Sequence, residues 1–288
     1  MLQSIKTWSL RLGIGALILL LLLGIGLYLS INTLVELAIV REGARAAGVD
    51  VALEEASVHF DGSGELTGFR VENPNDPNFD SEWFMNVNRA RGKVQLGSLF
   101  DRVIQIPRVQ LDGVDITIER KEDRENYLVI LNKIQQNLKE AGERQEPGRK
   151  FQIQKLRITD IQVTFSGFPG MNRTLKLADI HMDNVGSESD PLTLTRMTGL
   201  VLKTVFSQLL TNPEMIPGTV VAGLNEGLRG LEDLGGVTVK FVGNVTDGAG
   251  NVLSEVGGAA GTAVEEIGGA VEGIFGGGED QTEEETDQ

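Results

Sequence analysis

Ile104–Ile118 reads IQIPRVQLDGVDITI, and Phe151–Phe165 reads FQIQKLRITDIQVTF. Aligned without gaps, apolar residues coincide at 104/151, 106/153, 109/156, 111/158, 114/161, 116/163 and 118/165. Apolar and polar side chains alternating in this way mark a strand with one buried face. The match has two readings. It is either a pair of similar hairpins, or one structural unit used twice, 47 residues apart, to extend a sheet. Both predict an antiparallel, one-sided sheet whose apolar face is covered by helices or by something apolar from outside.

The same period of two continues on either side. Val49, Val51 and Leu53, then Val58 and Phe60, alternate with polar or small residues, and Asp61-Gly62-Ser63-Gly64 predicts a turn into Leu66, Phe69 and Val71. Asn73-Pro74-Asn75-Asp76-Pro77-Asn78 must be loop, because two prolines break any ladder. Further strands are expected over Phe84–Leu96, Val103–Leu111, Val114–Glu119, Phe151–Ile158, Ile161–Phe165 and Thr174–Asn184, with Asp112-Gly113 as a turn. Helical spacing appears in residues 32–47. It returns in residues 125–141, where Leu128, Leu131, Ile134 and Leu138 share a face. A charged linker, residues 142–150, follows. Beyond Asn184 no strand is expected; Pro191–Leu210 predicts a helix, and a second begins near Pro217.

From Gly230 the chain divides into units of eleven: GLEDLGGVTVK, FVGNVTDGAGN, VLSEVGGAAGT and AVEEIGGAVEG. That period, ~3.67 residues per turn, predicts an amphipathic helix with a nearly straight stripe. Leu253, Val256, Val264, Ile267 and Phe275 form the docking stripe, with Glu255, Glu265, Glu266 and Glu272 opposite. Fourteen glycines in residues 235–288 oppose a free helix, so it is expected only where the stripe is docked on another surface.

Leu12–Ile31 is a run of 20 residues without a charge, enough to cross ~30 Å of hydrocarbon. It is longer than the ~7–15 apolar residues of a signal peptide and lacks a small-x-small cleavage site, which favours an uncleaved anchor. Lys6 and Arg11 precede it with no acid, so the N-terminus is expected in the cytoplasm and everything after Ile31 outside. In a Gram-negative cell this means the inner membrane and the periplasm.

The chain has 26 Lys+Arg against 41 Asp+Glu, two His, no Cys and a formal charge of −15. Disulfides and thiolate metal sites are excluded, and nucleic acid is an improbable partner for such an acidic chain. Residues 235–288 carry 11 acids and one base, Lys240, so most of the charge is local. His59 and His181 have no neighbours that build a triad or metal box, and Asp76 and Asp80 lack the spacing of a calcium loop. No cofactor and no enzymatic activity are expected.

Several stretches resemble the N-terminal module of AsmA-like proteins, relatives of the repeating β-groove lipid-transfer superfamily. They are Ile31-Asn32, Gly48-Val49-Asp50-Val51, Gly64 through Pro74 (GELTGFRVENP), Leu96-Gly97-Ser98-Leu99, Ile104 through Val109, Ile116-Thr117-Ile118-Glu119 and Asn126-Tyr127-Leu128. Asn73, Pro74, Glu119 and Asn126 carry the pattern as structural residues. The resemblance implies an anchored periplasmic protein of the cell envelope, connected with lipid transport or outer-membrane assembly. AsmA-like proteins are usually far longer, so a short lipid-binding or scaffold module is implied here rather than a bridge between membranes.

The predicted fold is α+β. A cytoplasmic segment (1–11) and a transmembrane helix (12–31) precede a twisted, mostly antiparallel β-sheet domain with amphipathic helices (32–185). A helical segment (186–234), a Gly-rich C-terminal helix (235–275) and a disordered acidic tail (276–288) complete it. Val51, Val58, Ile106, Val109, Ile116, Ile158 and Val163 are the candidate apolar trough for a phospholipid; the alternative is a scaffold that docks an envelope protein partner through the C-terminal stripe.

Overall fold

The computed structural model describes residues 32–75, 79–144, 149–187, 190–231, 234, 237–247, 252–256 and 263–266. Helix α1 covers residues 32–47. Strands β1 (Val51–Ala52), β2 (Glu55–Val58), β3 (Ser63–Glu72) and β4 (Trp83–Lys93) follow. After a 3₁₀ turn at Leu96–Phe100 come β5 (Val103–Ile106), β6 (Arg108–Lys121), β7 (Arg124–Glu125), α2 (Asn126–Arg144) and β8 (Lys150–Ser166). The remainder is β9 (Arg173–Leu177), β10 (Asp179–Val185), α3 (Leu194–Leu210), α4 (Gly218–Arg229), β11 (Thr238–Asp247), β12 (Val252–Val256) and β13 (Ala263–Glu266). The fold is α+β, with one large mixed sheet in the order β1-β3-β4-β6-β8-β10-β11-β12.

The two matched stretches are neighbours in this sheet and run parallel. Ile104 pairs with Phe151 and Ile106 with Ile153, and the offset continues through Val109–Leu156, Leu111–Ile158, Val114–Ile161, Ile116–Val163 and Ile118–Phe165. Every matched apolar position of the repeat therefore faces its counterpart. This corrects the antiparallel expectation for the centre of the sheet, although most other pairings are antiparallel. The reason lies in the connection: parallel neighbours need a crossover, and α2 supplies it.

Asp112-Gly113 is not a turn but lies inside β6. Gly113 has φ 67° and Asp160, its counterpart in β8, has φ 51°. The ladder passes from Asp112–Thr159 directly to Val114–Ile161, skipping this pair with no shift of register. A left-handed residue in each strand lets Leu111 and Val114, three apart, face the same side. A left-handed residue serves a hairpin turn or a strand interior equally, which is why the dipeptide misled.

The inner face carries Val114, Ile116, Ile118, Ile158, Ile161, Val163, Phe165, Ile180 and Met182, all buried. Helices α2 to α4 cover it with Tyr127, Ile130, Leu131, Ile134, Leu200, Phe206, Leu209, Val220, Leu224 and Leu228. Leu128 and Leu138, predicted on the same face as Leu131 and Ile134, are only half-buried at its flank. Helix α4 approaches α2 closely: a Cβ at Gly223 would lie 2.2 Å from the Tyr127 hydroxyl. The outer face is polar, and Arg157 on it sets a guanidinium nitrogen 2.8 Å from His181 Nδ1.

Strands do not end at Asn184, and residues 238–247, 252–256 and 263–266 are strands rather than the Gly-rich helix. In β11 the period is two, with Val239 and Phe241 buried while Val242, a stripe position of the eleven-residue repeat, is 38% exposed. The open edge of β10 offers this segment a ladder, whereas glycines cost a helix ~1 kcal/mol each. The predicted linker 142–150 is shorter than expected, since α2 runs to Arg144 and β8 starts at Lys150; residues 145–148, the predicted transmembrane segment 12–31 and the acidic tail lie outside the described residues. Among the described residues, no helix is long and apolar enough to cross a membrane.

The left-handed pair makes a prediction about stability. Gly113→Val forces a β-branched residue into the left-handed region, and should cost about 1–2 kcal/mol. Asp160→Gly removes that strain but also the exposed pair with Lys176, and should stay within about 1 kcal/mol of the parent. Equilibrium urea unfolding of the two variants checks this, and equal destabilisation by both would contradict it.

Candidate lipid-binding groove

The seven predicted trough residues separate into two groups. Val51, Ile116, Ile158 and Val163 are buried in the core. They are covered by the protein's own helices and form no open trough. Val58, Ile106 and Val109 remain half-buried.

Register shows that the second group belongs to a strip. One inner-face row runs Val58–Gly64–Gly92–Val109–Leu156 across β2, β3, β4, β6 and β8. The next runs Ala56–Leu66–Ala90–Leu111–Ile158. Leu156 and Ile158 are buried under the helices, while Leu66, Ala90, Val109 and Leu111 are half-buried. Cover thus thins out over β6, β4 and β3 and returns at Ala56 on β2, which is buried.

Helix α1 borders this strip loosely. It meets α2 where Asn137 Nδ2 donates to the Arg45 carbonyl over 2.9 Å. Gly48 lies against the Lys133 side chain at the same contact. Its other end is held where Val58 N donates to Asn32 Oδ1 at 3.1 Å. No residue of α1 before Ala46 is buried; Val35, Ile39 and Val40 are half-buried, and Leu34 and Leu37 are 56% and 62% exposed. An apolar helix therefore lies beside an incompletely covered apolar floor. The glycines Gly64 and Gly92 keep that floor low, because they add no side chain to it. The spacing of the strands signalled the floor; nothing in the sequence signalled which half the helices leave open.

Three of the four pattern residues converge at the opposite end of the sheet. Asn126, fully buried, accepts from Glu119 N at 2.9 Å and Tyr127 N at 2.8 Å through Oδ1. Its Nδ2 donates to Thr117 O and to Asn73 Oδ1, both at 2.8 Å. Asn73 Nδ2 in turn donates to Ser81 O at 2.6 Å. The Glu119 carboxylate accepts from Asp80 N at 2.6 Å, Ser81 N at 2.9 Å and the Ser81 hydroxyl. Pro74 is buried beside Asn73 and bounds the loop. The cluster fastens the 73–82 loop, the end of β6 and the start of α2 to one another. Next to it the Tyr127 hydroxyl donates to Glu125 at 2.6 Å. Burial, reinforced by that bond, pushes the phenol far above its ordinary value, so it stays a donor.

The remaining candidates do not assemble. Leu253 and Val256 belong to β12 and Val264 to β13, while Ile267 and Phe275 lie outside the described residues. His59 is exposed, and burial together with Arg157 lowers the pKa of His181. Asp80 pairs with Lys121 at 2.5 Å, and Asp76 is outside the described residues. Among the described residues no three His, Asp or Glu side chains gather as a metal site. No protein-family model matches the chain, and neither does any curated protein.

Asn126 gives the second prediction. Its amide serves four buried partners, so Asn126→Ala should destabilise by about 2–4 kcal/mol by leaving them unsatisfied. For a chain of this size the thermal midpoint should fall by roughly 5–15 °C. Asn126→Asp sets a buried carboxylate oxygen against the Thr117 and Asn73 oxygens and should destabilise at least as much as the alanine variant. A midpoint unchanged in Asn126→Ala would remove the cluster's structural role.

Proposed function

We propose that this chain is a membrane-anchored, non-enzymatic module of the bacterial cell envelope that holds a lipid acyl chain in the strip between α1 and α2. The reading includes a single inner-membrane pass at residues 12–31, a cytoplasmic N-terminus and a periplasmic domain. One observation carries it. Half-buried Ala90, Ile106, Val109 and Leu111 pack against the core, with Leu66 next to Ala90 in register, and the neighbouring helix α1 has no buried residue in its first half. Apolar area left partly in water at ~25 cal/mol per Å² favours an apolar occupant. The strip also approaches Asn32, directly after the apolar run, so an acyl chain could enter from the bilayer without crossing water. The resemblance to AsmA-like proteins, with their lipid-carrying grooves, points the same way.

The protein-docking scaffold loses its motive, since the described part of the C-terminal stripe is strand rather than an amphipathic helix.

The test is crosslinking in the full chain, purified with its lipids. A phospholipid bearing a diazirine on its acyl chain should label Leu66, Ala90, Val109 or Leu111 on irradiation, as mapped by peptide mass spectrometry. Val109→Glu should reduce that labelling about tenfold, the equivalent of about 1.4 kcal/mol. Labelling confined to residues 12–31 would overturn the groove reading while leaving the anchor in place.

A further inference from the structure

Five of the six large apolar side chains that stand exposed among the described residues cluster at one end of the domain. They are Leu34, Leu37, Phe60, Leu96 and Phe100; Val242 is elsewhere on β11. Phe100 is 95% exposed, Phe60 77% and Leu96 45%. They come from three separate segments, and the geometry shows why they meet. The β2–β3 turn is closed by His59 N to Ser63 O at 2.8 Å, with Gly62 N to His59 O at 3.0 Å. Val94 N then donates to Gly62 O at 2.9 Å, and the Leu96 side chain lies 3.2 Å from where a Cβ on Gly62 would stand. Ser98 Oγ accepts from Gln105 N at 2.9 Å, which fixes the 3₁₀ turn carrying Phe100 at the entrance of β5. Both loop tips are therefore held firmly, with their apolar side chains turned outward.

This is also the end at which the chain arrives from residues 12–31. Asn32 is bonded to Val58, and Phe60 lies two residues on, within ~7 Å along the chain. Exposed Arg102, Arg149 and Lys150 flank the same end, with Lys150 N donating to Arg102 O at 3.3 Å. Asp101 is exposed there too, whereas Asp61 is occupied by Ser63 and by Lys93 at 3.4 Å. Aromatic and aliphatic tips ringed by cations have the composition of a segment seated in the headgroup region of a bilayer.

We infer that Leu96 and Phe100, beside the β2–β3 turn, form a foot that seats the domain on the same bilayer that holds residues 12–31, their side chains entering the interfacial region. The inference rests on the single-pass reading proposed above. It gives the domain a fixed orientation: the end with the foot and the strip opening faces the lipid, and the Asn73–Asn126–Glu119 end faces away. A tether alone would leave the domain free to tumble above the surface. The foot holds the mouth of the groove against the source of acyl chains.

Because the chain has no cysteine, single labels can be placed cleanly. Phe100→Cys and, as a control, Asp123→Cys in the β6–β7 turn at the far end are each labelled with the fluorophore NBD. The full-length protein is then reconstituted in vesicles of phosphatidylethanolamine and phosphatidylglycerol. The label at position 100 should be blue-shifted and quenched by doxyl-bearing lipid, and the label at 123 should be neither. Alkaline extraction of the same vesicles reports on the anchor independently. A water-exposed label at 100 in protein that resists extraction would overturn the foot and leave the anchor standing. Release by alkali would overturn the anchor, and the foot with it. Quenching at both positions would also overturn the foot, since the domain would then have no fixed orientation.

Discussion

The parallel pairing of β6 and β8 is the constraint from which the rest of the architecture follows. Two strands running the same way, in constant register over their length, cannot be joined by a turn. The chain must return along the sheet, and it does so as α2. That return places Tyr127, Ile130, Leu131 and Ile134 over the inner face, where each is almost completely excluded from water. Helices α3 and α4 then pack beside α2, on the β8–β11 side. Tyr127 meets Phe206 edge-on at 6.0 Å between ring centres, and Gly223 lets α4 close on the Tyr127 hydroxyl. The core is thereby displaced toward one half of the sheet.

The other half depends on α1, and α1 is held at its two ends rather than along its length. Its C-terminal end is buried at Ala46 and Ala47 and tied to α2 through Arg45 and Asn137. Its N-terminal end is tied by the bond from Val58 N to Asn32 Oδ1. Between these points its apolar residues touch the sheet only partly. A helix anchored in this way can shift over the strip without dismantling the core, because its burial is small there and hydrophobic stabilisation scales with buried area. Packing that would be a defect in a purely structural domain is what an exchangeable apolar ligand requires.

The sequence disclosed the strands and their buried faces better than their partners. The 104–118 and 151–165 match is a direct trace of parallel pairing, because in-register parallel neighbours put like positions side by side. Alternation alone carries no strand direction, however, so the same pattern suited two hairpins. Gly113 and Asp160 were ambiguous for a related reason: a left-handed residue closes a hairpin or interrupts the alternation inside a strand. The three-residue steps from Leu111 to Val114 and from Ile158 to Ile161 were the available signal for the interruption, since a simple turn has no need to keep the face constant. In residues 238–247, an eleven-residue repeat competed with alternation at Val237, Val239 and Phe241. The free edge of β10 decided for strand, and an edge is a tertiary fact. Asn73, Glu119 and Asn126 were legible only as a pattern. Their joint role needed the fold, since 53 positions separate the two asparagines that bond.

The two ends of the sheet differ in the kind of interaction that closes them. At the Asn126 end, side-chain amides and a carboxylate satisfy backbone donors and acceptors from three segments, a directional arrangement that tolerates little movement. At the Asn32 end, backbone bonds and the side-chain acceptors Asn32 Oδ1, Asp61 Oδ1 and Ser98 Oγ hold the loop tips, while the side chains above them remain apolar and exposed. Polar networks lose their energy when geometry changes by fractions of an ångström, whereas apolar contacts are non-directional and survive sliding. Both ends are therefore held, one by a buried polar network and the other by bonds beneath exposed apolar side chains that can adapt to a surface. The fold places its fixed point where the crossover helix begins. Its open edge lies where an apolar ligand and an apolar surface would both be met.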